Sequence, residues 1–145
     1  MRISDIIRTK GKAVVTVPPD VDVRTLLNVL AENRIGAVVV SPDGSTIDGI
    51  VSERDVVRAL ADRGAAVLSE PVSAIMTAEV QTCAPHQHID ELAAAMTLGR
   101  FRHMPVVGES GLDGIVSIGD VVKIRITELE VERDSLSSYI RTAAT

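Results

Sequence analysis

Two Ser-x-x-Asp motifs are the residues of this sequence best suited to bind a charged ligand. Ser52 and Asp55 form the first motif, Ser117 and Asp120 form the second, and each follows a Gly-Ile-Val triplet. If a helix begins at each motif, its free N–H groups and partial positive charge make a site for phosphate, which the Ser hydroxyl can join. A short carboxylate at the same turn can accept both hydroxyls of a ribose.

The same motif also has a structural interpretation, the helix capping box. In this box the Ser side chain caps the first turn, and the acidic residue three positions later reaches back to the Ser amide. A carboxylate used in this way is less available to a ribose. Both interpretations therefore remain open for Asp55 and Asp120.

The elements that position the two motifs follow from an internal repeat. Asp48–Val57 and Asp113–Val122 are identical at eight of ten positions, and such a repeat predicts two copies of one supersecondary unit. Apolar residues at helical spacing precede each motif and predict two amphipathic helices. They are Val23, Leu26, Leu27 and Leu30 in the first copy, and Ile89, Leu92, Ala93 and Met96 in the second.

Short apolar runs predict the strands of each copy. The runs are Val14–Val17, Ala37–Val40 and Gly49–Val51 in the first copy, and Val80–Cys83, Met104–Val107 and Gly114–Val116 in the second. A helix from Glu53 to Arg63, ended by Gly64, completes the first copy. Each copy reads β-α-β-β-α, so we predict an α+β (α/β-like) fold in which two tandem units pack as one pseudo-twofold module. The predicted boundaries are 1–64 for the first unit, 65–72 for a linker, 73–127 for the second unit and 128–145 for an extended C-terminal helix.

Composition narrows the class of ligand. The chain has 145 residues, a net charge of −5 and only 1% aromatic residues. The acidic balance argues against a general nucleic-acid binder, and the scarcity of aromatic rings removes the usual stacking platform for single strands. The single cysteine, Cys83, together with the lack of a signal-peptide or membrane-span pattern, predicts a cytoplasmic protein that does not act at a membrane.

With Gly-Ile-Val-Ser-x-x-Asp in each copy, the double unit resembles a CBS domain pair, also called a Bateman module, of the stand-alone kind. The resemblance covers about Ile3 to Ile126 and is carried by four motifs. They are Gly49-Ile-Val-Ser-Glu-Arg-Asp55, Ile75-Met-Thr77, Arg102-His-Met-Pro-Val-Val107 and Ser117-Ile-Gly-Asp-Val-Val122. The resemblance implies that AMP, ATP, NAD(H) or S-adenosylmethionine binds in clefts between the units, with no obligatory cofactor, and that binding alters a separate partner protein. It also implies that Asp55 and Asp120 hold ribose, and that Ser52 and Ser117 touch phosphate.

The adenine base needs a flat apolar slot, and because no aromatic ring is in place to form it, we expect aliphatic side chains to sandwich the base. Six residues at strand positions are candidates for adenine binding, and core packing or satisfaction of a turn is the alternative for each. They are Val14, Thr16, Val38, Val80, Thr82 and Pro105.

Three further residues are candidates for phosphate binding and make the two copies unequal. Arg102 and His103 precede the strand of the second copy where the first copy has Ile35 and Gly36, and Arg54 has Gly119 as its counterpart. A guanidinium binds phosphate as a bidentate fork, and a His side chain titrates near neutral pH. We therefore predict two unlike clefts, the alternative being that these are ordinary surface residues.

No catalytic set accompanies these motifs. Cys83, His86 and His88 do not form a standard metal-binding pattern, and no Ser-His-Asp or Cys-His arrangement is supported. We therefore predict a protein that is not an enzyme and binds no metal.

The C-terminal segment carries an apolar stripe with alternating four- and three-residue steps. Its members are Val122, Ile126, Leu129, Leu136 and Ile140, with Arg133 completing the series. Such a stripe needs a partner surface, either on a second subunit or across the module, and we predict a homodimer. A ligand-free dimeric scaffold protein remains the alternative function.

Overall fold

The structure is a computed structural model that describes residues 1–11 and 14–144. It contains five helices and five strands in these residues, along with two short 3-10 turns at Gly64–Ser69 and Val72–Ala74. The helices are α1 (Ile3–Lys10), α2 (Val23–Asn33), α3 (Glu53–Arg63), α4 (Ile89–Gly99) and α5 (Ile118–Ala144). The strands are β1 (Thr16–Val17), β2 (Ala37–Val40), β3 (Gly49–Ser52), β4 (His103–Gly108) and β5 (Gly111–Ser117).

The first sheet has the order β1-β2-β3. Strand β1 runs parallel to β2, and β3 runs antiparallel to it. All four residues of β2 are buried, as expected for a central strand covered on both faces. Strand β3 leads directly into α3, so Ser52 lies at the edge of the sheet where the helix begins.

The second sheet consists of β4 and β5, paired antiparallel. The predicted strand Val80–Cys83 is wrong, because only Cys83 pairs with this sheet, through a parallel bridge to Val106. The next ladder bond would need an N–H from Pro105, which proline lacks. In the first unit the predicted strand Val14–Val17 likewise shortens, to Thr16–Val17.

Helices α2 and α4 form where the apolar stripes predict them. Their innermost residues are the buried ones: Val23, Leu26 and Leu30 in α2, and Ile89, Leu92 and Met96 in α4. Asp22 caps α2 by accepting a hydrogen bond from the Thr25 amide at 2.8 Å. Both helices end at an arginine with positive φ, Arg34 at 53° and Arg100 at 56°.

The two hydrophobic cores do not follow the order of the chain. Ile3, Ile6 and Ile7 of α1 pack into the core of the second sheet. Val67 and Val72, from the segment between the repeats, pack into the core of the first sheet. Complete burial of such a side chain contributes about 1.5–3 kcal/mol, so each exchanged segment matters to the unit that receives it. The boundaries 1–64, 65–72, 73–127 and 128–145 stay a prediction, and Thr145 lies outside the described residues.

Two glycines give the exchanged segments room to pack. A Cβ atom on Gly114 would lie 2.5 Å from Ile7 Cδ1, and one on Gly49 would lie 2.8 Å from the Thr77 carbonyl oxygen. Thr77 also pairs with Ile50 of β3 through two backbone hydrogen bonds of 2.9 and 3.0 Å. Equivalent glycines therefore contact equivalent segments in the two halves, residues 3–10 and 72–77, which are called the lead-in segments below.

Helix α5 leaves the module after its first turns. Val121 is buried and Ile118 and Ile124 pack partly against the second core, whereas from Leu129 onward every side chain described is exposed. At 1.5 Å per residue the 27-residue helix is about 40 Å long. The predicted apolar stripe does not pack across the module, since its hydrophobic members are 49–63% exposed. None of the helices within the described residues has the length and apolar character to cross a membrane.

Candidate functional site

Both Ser-x-x-Asp motifs form capping boxes at a strand-to-helix junction. The Ser52 hydroxyl accepts from the Asp55 amide at 3.3 Å, and Asp55 Oδ2 accepts from the Ser52 amide at 2.9 Å and its hydroxyl at 3.1 Å. Ser117 and Asp120 repeat these bonds at 3.1, 2.9 and 3.0 Å. The capping interpretation therefore holds in both copies. All of these carboxylate contacts use Oδ2, which leaves Oδ1 of each side chain outside the box.

The two carboxylates differ in their contact with a lysine from the N-terminal helix. Lys10 Nζ donates to Asp120 Oδ2 at 2.8 Å and to the Ile115 carbonyl at 3.0 Å. Burial raises the pKa of Asp120, but the hydrogen bonds from Lys10 and Ser117 and the charge of Lys10 outweigh this effect and hold it below its usual range. Asp120 is thus a carboxylate already matched with a cation.

The larger of two clefts lies between the units and joins residues from both. Its volume is about 830 Å³, within the usual range for small-molecule sites. It brings together seven of the residues predicted to bind ligand. They are Ser52, Arg54, Asp55, Val80, Arg102, His103 and Ser117.

Four arginines line this larger cleft. Arg54 and Arg58 lie one turn apart near the start of α3, while Arg100 and Arg102 approach from the second unit. The acidic residues in the same wall are Glu53, Asp55 and Glu79. Guanidinium groups beside the N-terminus of α3 provide strong donors for a phosphate.

An aromatic ring also lines the larger cleft, contrary to the expectation that aliphatic side chains alone face the base. Phe101 is half-buried, packs partly against the second core and belongs to the cleft wall. A Cβ atom on Gly99 would lie 2.0 Å from Phe101 Cε1, so the missing side chain at Gly99 leaves room for the ring. The wall therefore offers a flat apolar face as well as aliphatic groups such as Ile50 and Val80.

The smaller cleft lies beside Lys10, on the other side of the seam between the units. Its volume is about 350 Å³, and its walls include Val14, Arg34, His103 and Ser117. The clefts thus differ in volume and in lining, but the smaller one does not lack positive charge as the unequal repeats predicted, because Lys10 and Arg34 line it. Both Arg54 and Arg102 face the larger one.

His103 belongs to the wall of both clefts. Burial lowers the pKa of His103, and the charges of Arg102 and Lys10 lower it further, against the opposite effect of Asp120 and Glu53. The imidazole is therefore neutral at pH 7 in the free protein. Its position allows a charge gained by His103 to act on either cleft.

Four of the predicted adenine-binding residues lie elsewhere. Among the described residues, those lining the two clefts do not include Thr16, Val38, Thr82 or Pro105. Val38 is 1% exposed and belongs to the first core, and Pro105 is buried in β4. Strands β2 and β4 are central to their cores, so these two side chains pack inward.

Sequence reasoning missed many residues of the cleft walls, among them the three cations Lys10, Arg58 and Arg100 and the aromatic Phe101. Arg58 follows Arg54 by one helical turn, so that spacing alone placed it on the same face. Arg100 and Phe101 are sequence neighbours of Arg102, a predicted site residue, and this proximity was the available signal that they line the same cleft. Lys10 had no signal, since its role depends on α1 packing against the distant second sheet.

Cys83 and His88, two of the three residues weighed for metal binding, have other roles. Cys83 is buried, and burial raises the pKa of its thiol to about 12. His88 caps α4 by accepting a hydrogen bond from the Asp90 amide at 3.2 Å. No group of three or more His, Cys, Asp and Glu side chains in residues 1–11 and 14–144 is placed to hold a metal ion.

Comparison with known proteins agrees with this architecture. The chain is 33% identical over 147 residues to the CBS domain-containing protein CBSX3, mitochondrial, of Arabidopsis thaliana, an alignment that covers 96% of this chain and 71% of the relative. It superimposes with a TM-score of 0.83 on the crystal structure of the CBS-domain containing protein ATU1752 from Agrobacterium tumefaciens, at 46% identity, covering 86% of this chain and 99% of the other. For the CBS domain protein PAE2072 from Pyrobaculum aerophilum, complexed with AMP, the TM-score is 0.74 at 28% identity, covering 83% and 89% of the two chains.

The overall fold is thus shared with solved structures of CBS-domain proteins. The CBS domain profile matches this sequence twice, over residues 3–62 and 72–126. The chain belongs to the CBS domain family and carries two copies of the domain.

Proposed function

We propose that this chain is a regulatory module that binds an adenine nucleotide in the larger cleft, modulates a separate partner protein and catalyses no reaction itself. The observation that carries the proposal is the meeting of the α3 N-terminus with arginines from both units in one cleft. Such a site recognises phosphate attached to an apolar group. AMP, ATP and NAD(H) have this chemistry, and S-adenosylmethionine shares the adenosine portion.

The residues of the larger cleft suggest one orientation for the nucleotide. Asp55 uses Oδ2 in its capping box, so Oδ1 is the oxygen we assign to the ribose hydroxyls. Arg54 and Arg102 are assigned to the phosphates, and Phe101 and Val80 to the faces of the base. The related protein PAE2072, complexed with AMP, supports an adenosine ligand for this family.

The smaller cleft is proposed as a weaker site. Asp120, the carboxylate of the second repeat, is in neither cleft wall and is held at 2.8 Å by Lys10, which lines the smaller cleft, so a ribose that reaches Asp120 must compete with a charge-assisted hydrogen bond. Solvent screens this partly exposed pair, so its contribution is about 0.5–1 kcal/mol. We therefore expect the larger cleft to fill first.

Regulation requires that the ligand favour one arrangement of the module over another. A nucleotide in the larger cleft touches residues of both units, so it binds most tightly when the units are at one separation. We further propose that the module acts as a homodimer through α5, and that this arrangement is what the partner protein recognises. A cytoplasmic location stays a prediction.

Titration calorimetry tests the proposal. AMP, ATP, NAD, NADH and S-adenosylmethionine are titrated into the wild-type chain and into Arg102→Ala, with Arg24→Ala as the matched control on the exposed face of α2. Loss of a charge-assisted contact worth about 1.5–3 kcal/mol predicts roughly a 10- to 100-fold weaker affinity for Arg102→Ala. Arg24→Ala should bind like the wild type.

A second pair of variants separates the clefts. Asp55→Asn should weaken the tighter binding event, and Asp120→Asn should leave it unchanged. If none of the five ligands binds, the scaffold function replaces the nucleotide sensor. Equal losses in Arg102→Ala and Arg24→Ala would show that binding is non-specific.

A further inference from the structure

The exposed stripe of α5 is the largest feature that nucleotide binding leaves unused. Its hydrophobic residues are 49–63% exposed, although Leu and Ile side chains gain most from burial. Outside the stripe, the exposed large hydrophobic side chains of the described residues are Val131 and Tyr139, also on α5, and Met1, Val57 and Leu98 on other elements. The stripe consists of Val122, Ile126, Leu129, Arg133, Leu136 and Ile140, and is called the C-terminal stripe below.

The spacing and residue types of the C-terminal stripe match those of a coiled coil. Alternating steps of four and three residues keep one seam facing a partner helix along the whole length. Ile126 and Ile140 occupy one set of seam positions, and Leu129 and Leu136 occupy the other. β-branched residues at the first set and Leu at the second favour two parallel strands.

We propose that α5 forms a two-stranded, parallel, in-register coiled coil with α5 of a second copy of this chain, and that Arg133 fixes its register. A single polar residue at a seam position specifies register and the number of strands. In register, the two Arg133 side chains share one layer, and each lies beside Glu132 of the opposite helix. An antiparallel pair would instead set Arg133 against a leucine, leaving a charge buried without a partner.

The charges that flank the seam favour the same register. In a parallel pair, each flanking residue faces the one five positions later on the other helix, so Arg125 faces Glu130. A slip of one heptad would set Arg125 against Lys123 and Glu132 against Glu130, both like-charge pairs. Arg125 already pairs with Asp90 and Glu128 of its own chain, so Glu130 would join an existing charge network.

The inference extends the proposed homodimer and does not depend on nucleotide binding. Failure of the coiled-coil proposal and failure of the proposed nucleotide binding are distinguishable, because each has its own measurement. Nucleotide affinity is measured by calorimetry, and the arrangement of α5 by molecular mass and cross-linking.

Light scattering on the full chain gives the first test. The wild type should have twice the mass of the 15.4 kDa chain, and Leu129→Asp/Leu136→Asp should have the mass of one chain. Both side chains are exposed in the single chain, so this variant should keep its circular dichroism and its AMP affinity. A wild-type monomer, or a dimer that survives the double substitution, would overturn the proposal.

Disulfide cross-linking tests orientation and register. In a parallel pair, Leu136→Cys brings two thiols together across the seam and should yield a covalent dimer under mild oxidation. Ser138→Cys, on the opposite side of α5, is the matched control and should yield little. The native Cys83 is 7% exposed and should not interfere. A dimer that Leu136→Cys does not cross-link, or that both variants cross-link equally, would refute the parallel register.

Discussion

The contact between Lys10 and Asp120 gives a sharp test of how α1 is held on the second unit. Asp55 and Asp120 form the same capping box with nearly equal distances, and only Asp120 also binds Lys10. Replacing either Asp by Ala removes the box, while Lys10→Met removes the added ion pair and retains most of the side-chain length. Asp55→Ala is therefore the internal control for Asp120→Ala.

The magnitudes follow from burial and bond type. Loss of a helix cap costs about 0.5–2 kcal/mol, which applies to both Asp variants. The side chains of Lys10 and Asp120 are 39% and 22% exposed, so solvent screens the pair and its contribution is about 0.5–1 kcal/mol. Asp120→Ala should thus destabilise by about 0.5–1 kcal/mol more than Asp55→Ala. For a chain of this size, 1 kcal/mol shifts Tm by about 2–4 °C.

Urea unfolding at pH 7 measures these differences as a double-mutant cycle. The wild type, Lys10→Met, Asp120→Ala and the double variant should give a coupling energy of about 0.5–1 kcal/mol. The same cycle with Asp55→Ala in place of Asp120→Ala should give a value near zero. Equal coupling in the two cycles, or none in the first, would refute the reasoning.

The pH dependence has a defined sign. The folded state lowers the pKa of Asp120, so its contribution is complete above the unfolded pKa, about 4, and is lost as the pH falls through the lower folded value. The stability difference between the wild type and Asp120→Ala should therefore shrink below about pH 4. A difference that grows on acidification would contradict the observed geometry.

Three further predictions concern the seam and the C-terminal helix. Burial and the nearby charges of Arg102 and Lys10 lower the pKa of His103, so the side chain gains its charge below about pH 6.5. That positive charge in the cleft wall should strengthen binding of AMP. Calorimetry between pH 5.5 and 8, from about 1 unit below to 1.5 units above the usual histidine pKa, should show this gain in the wild type and not in His103→Gln. Gly49→Ala should destabilise the folded protein by about 1–3 kcal/mol in thermal unfolding, because its Cβ atom would lie 2.8 Å from the backbone carbonyl oxygen of Thr77. An unchanged Tm would show that the lead-in segment can shift without a cost in stability. Arg133→Ile replaces the polar layer of the coiled coil by an apolar one. The dimer should then dissociate at a lower protein concentration in sedimentation measurements, while more than one register of the two helices becomes populated. A dimer that dissociates at a higher concentration would argue against the seam.

The elements closest to a repeated motif were the most predictable ones. The stripe of α2 depends on Val23, Leu26 and Leu30, which are adjacent on a helix whatever the rest of the chain does. The capping box at Ser52 and Asp55 is equally local, because every bond in it spans three residues. Local spacing was therefore enough to locate the strand-to-helix junctions of the site.

Features that depend on distant packing were not predictable in the same way. Ile3 and Ile6 join a core built mostly from residues after Cys83, and no local pattern distinguishes that outcome from packing on the nearer unit. The role of Lys10 depends on this placement. The predicted strand at Val80 failed because pairing depends on the neighbouring strand, where Pro105 cannot donate a hydrogen bond.

The exchange of lead-in segments also determines how a bound ligand can affect both units. Each cleft lies where the chain crosses the seam: Thr77 and Val80 border the larger one, Lys10 and Val14 the smaller one. Val72 and Cys83, which flank the first of these crossings, belong to the first and second cores, and Ile7 and Val17, which flank the other, belong to the second and first cores. A ligand that displaces one of these segments therefore changes the packing of both units at once.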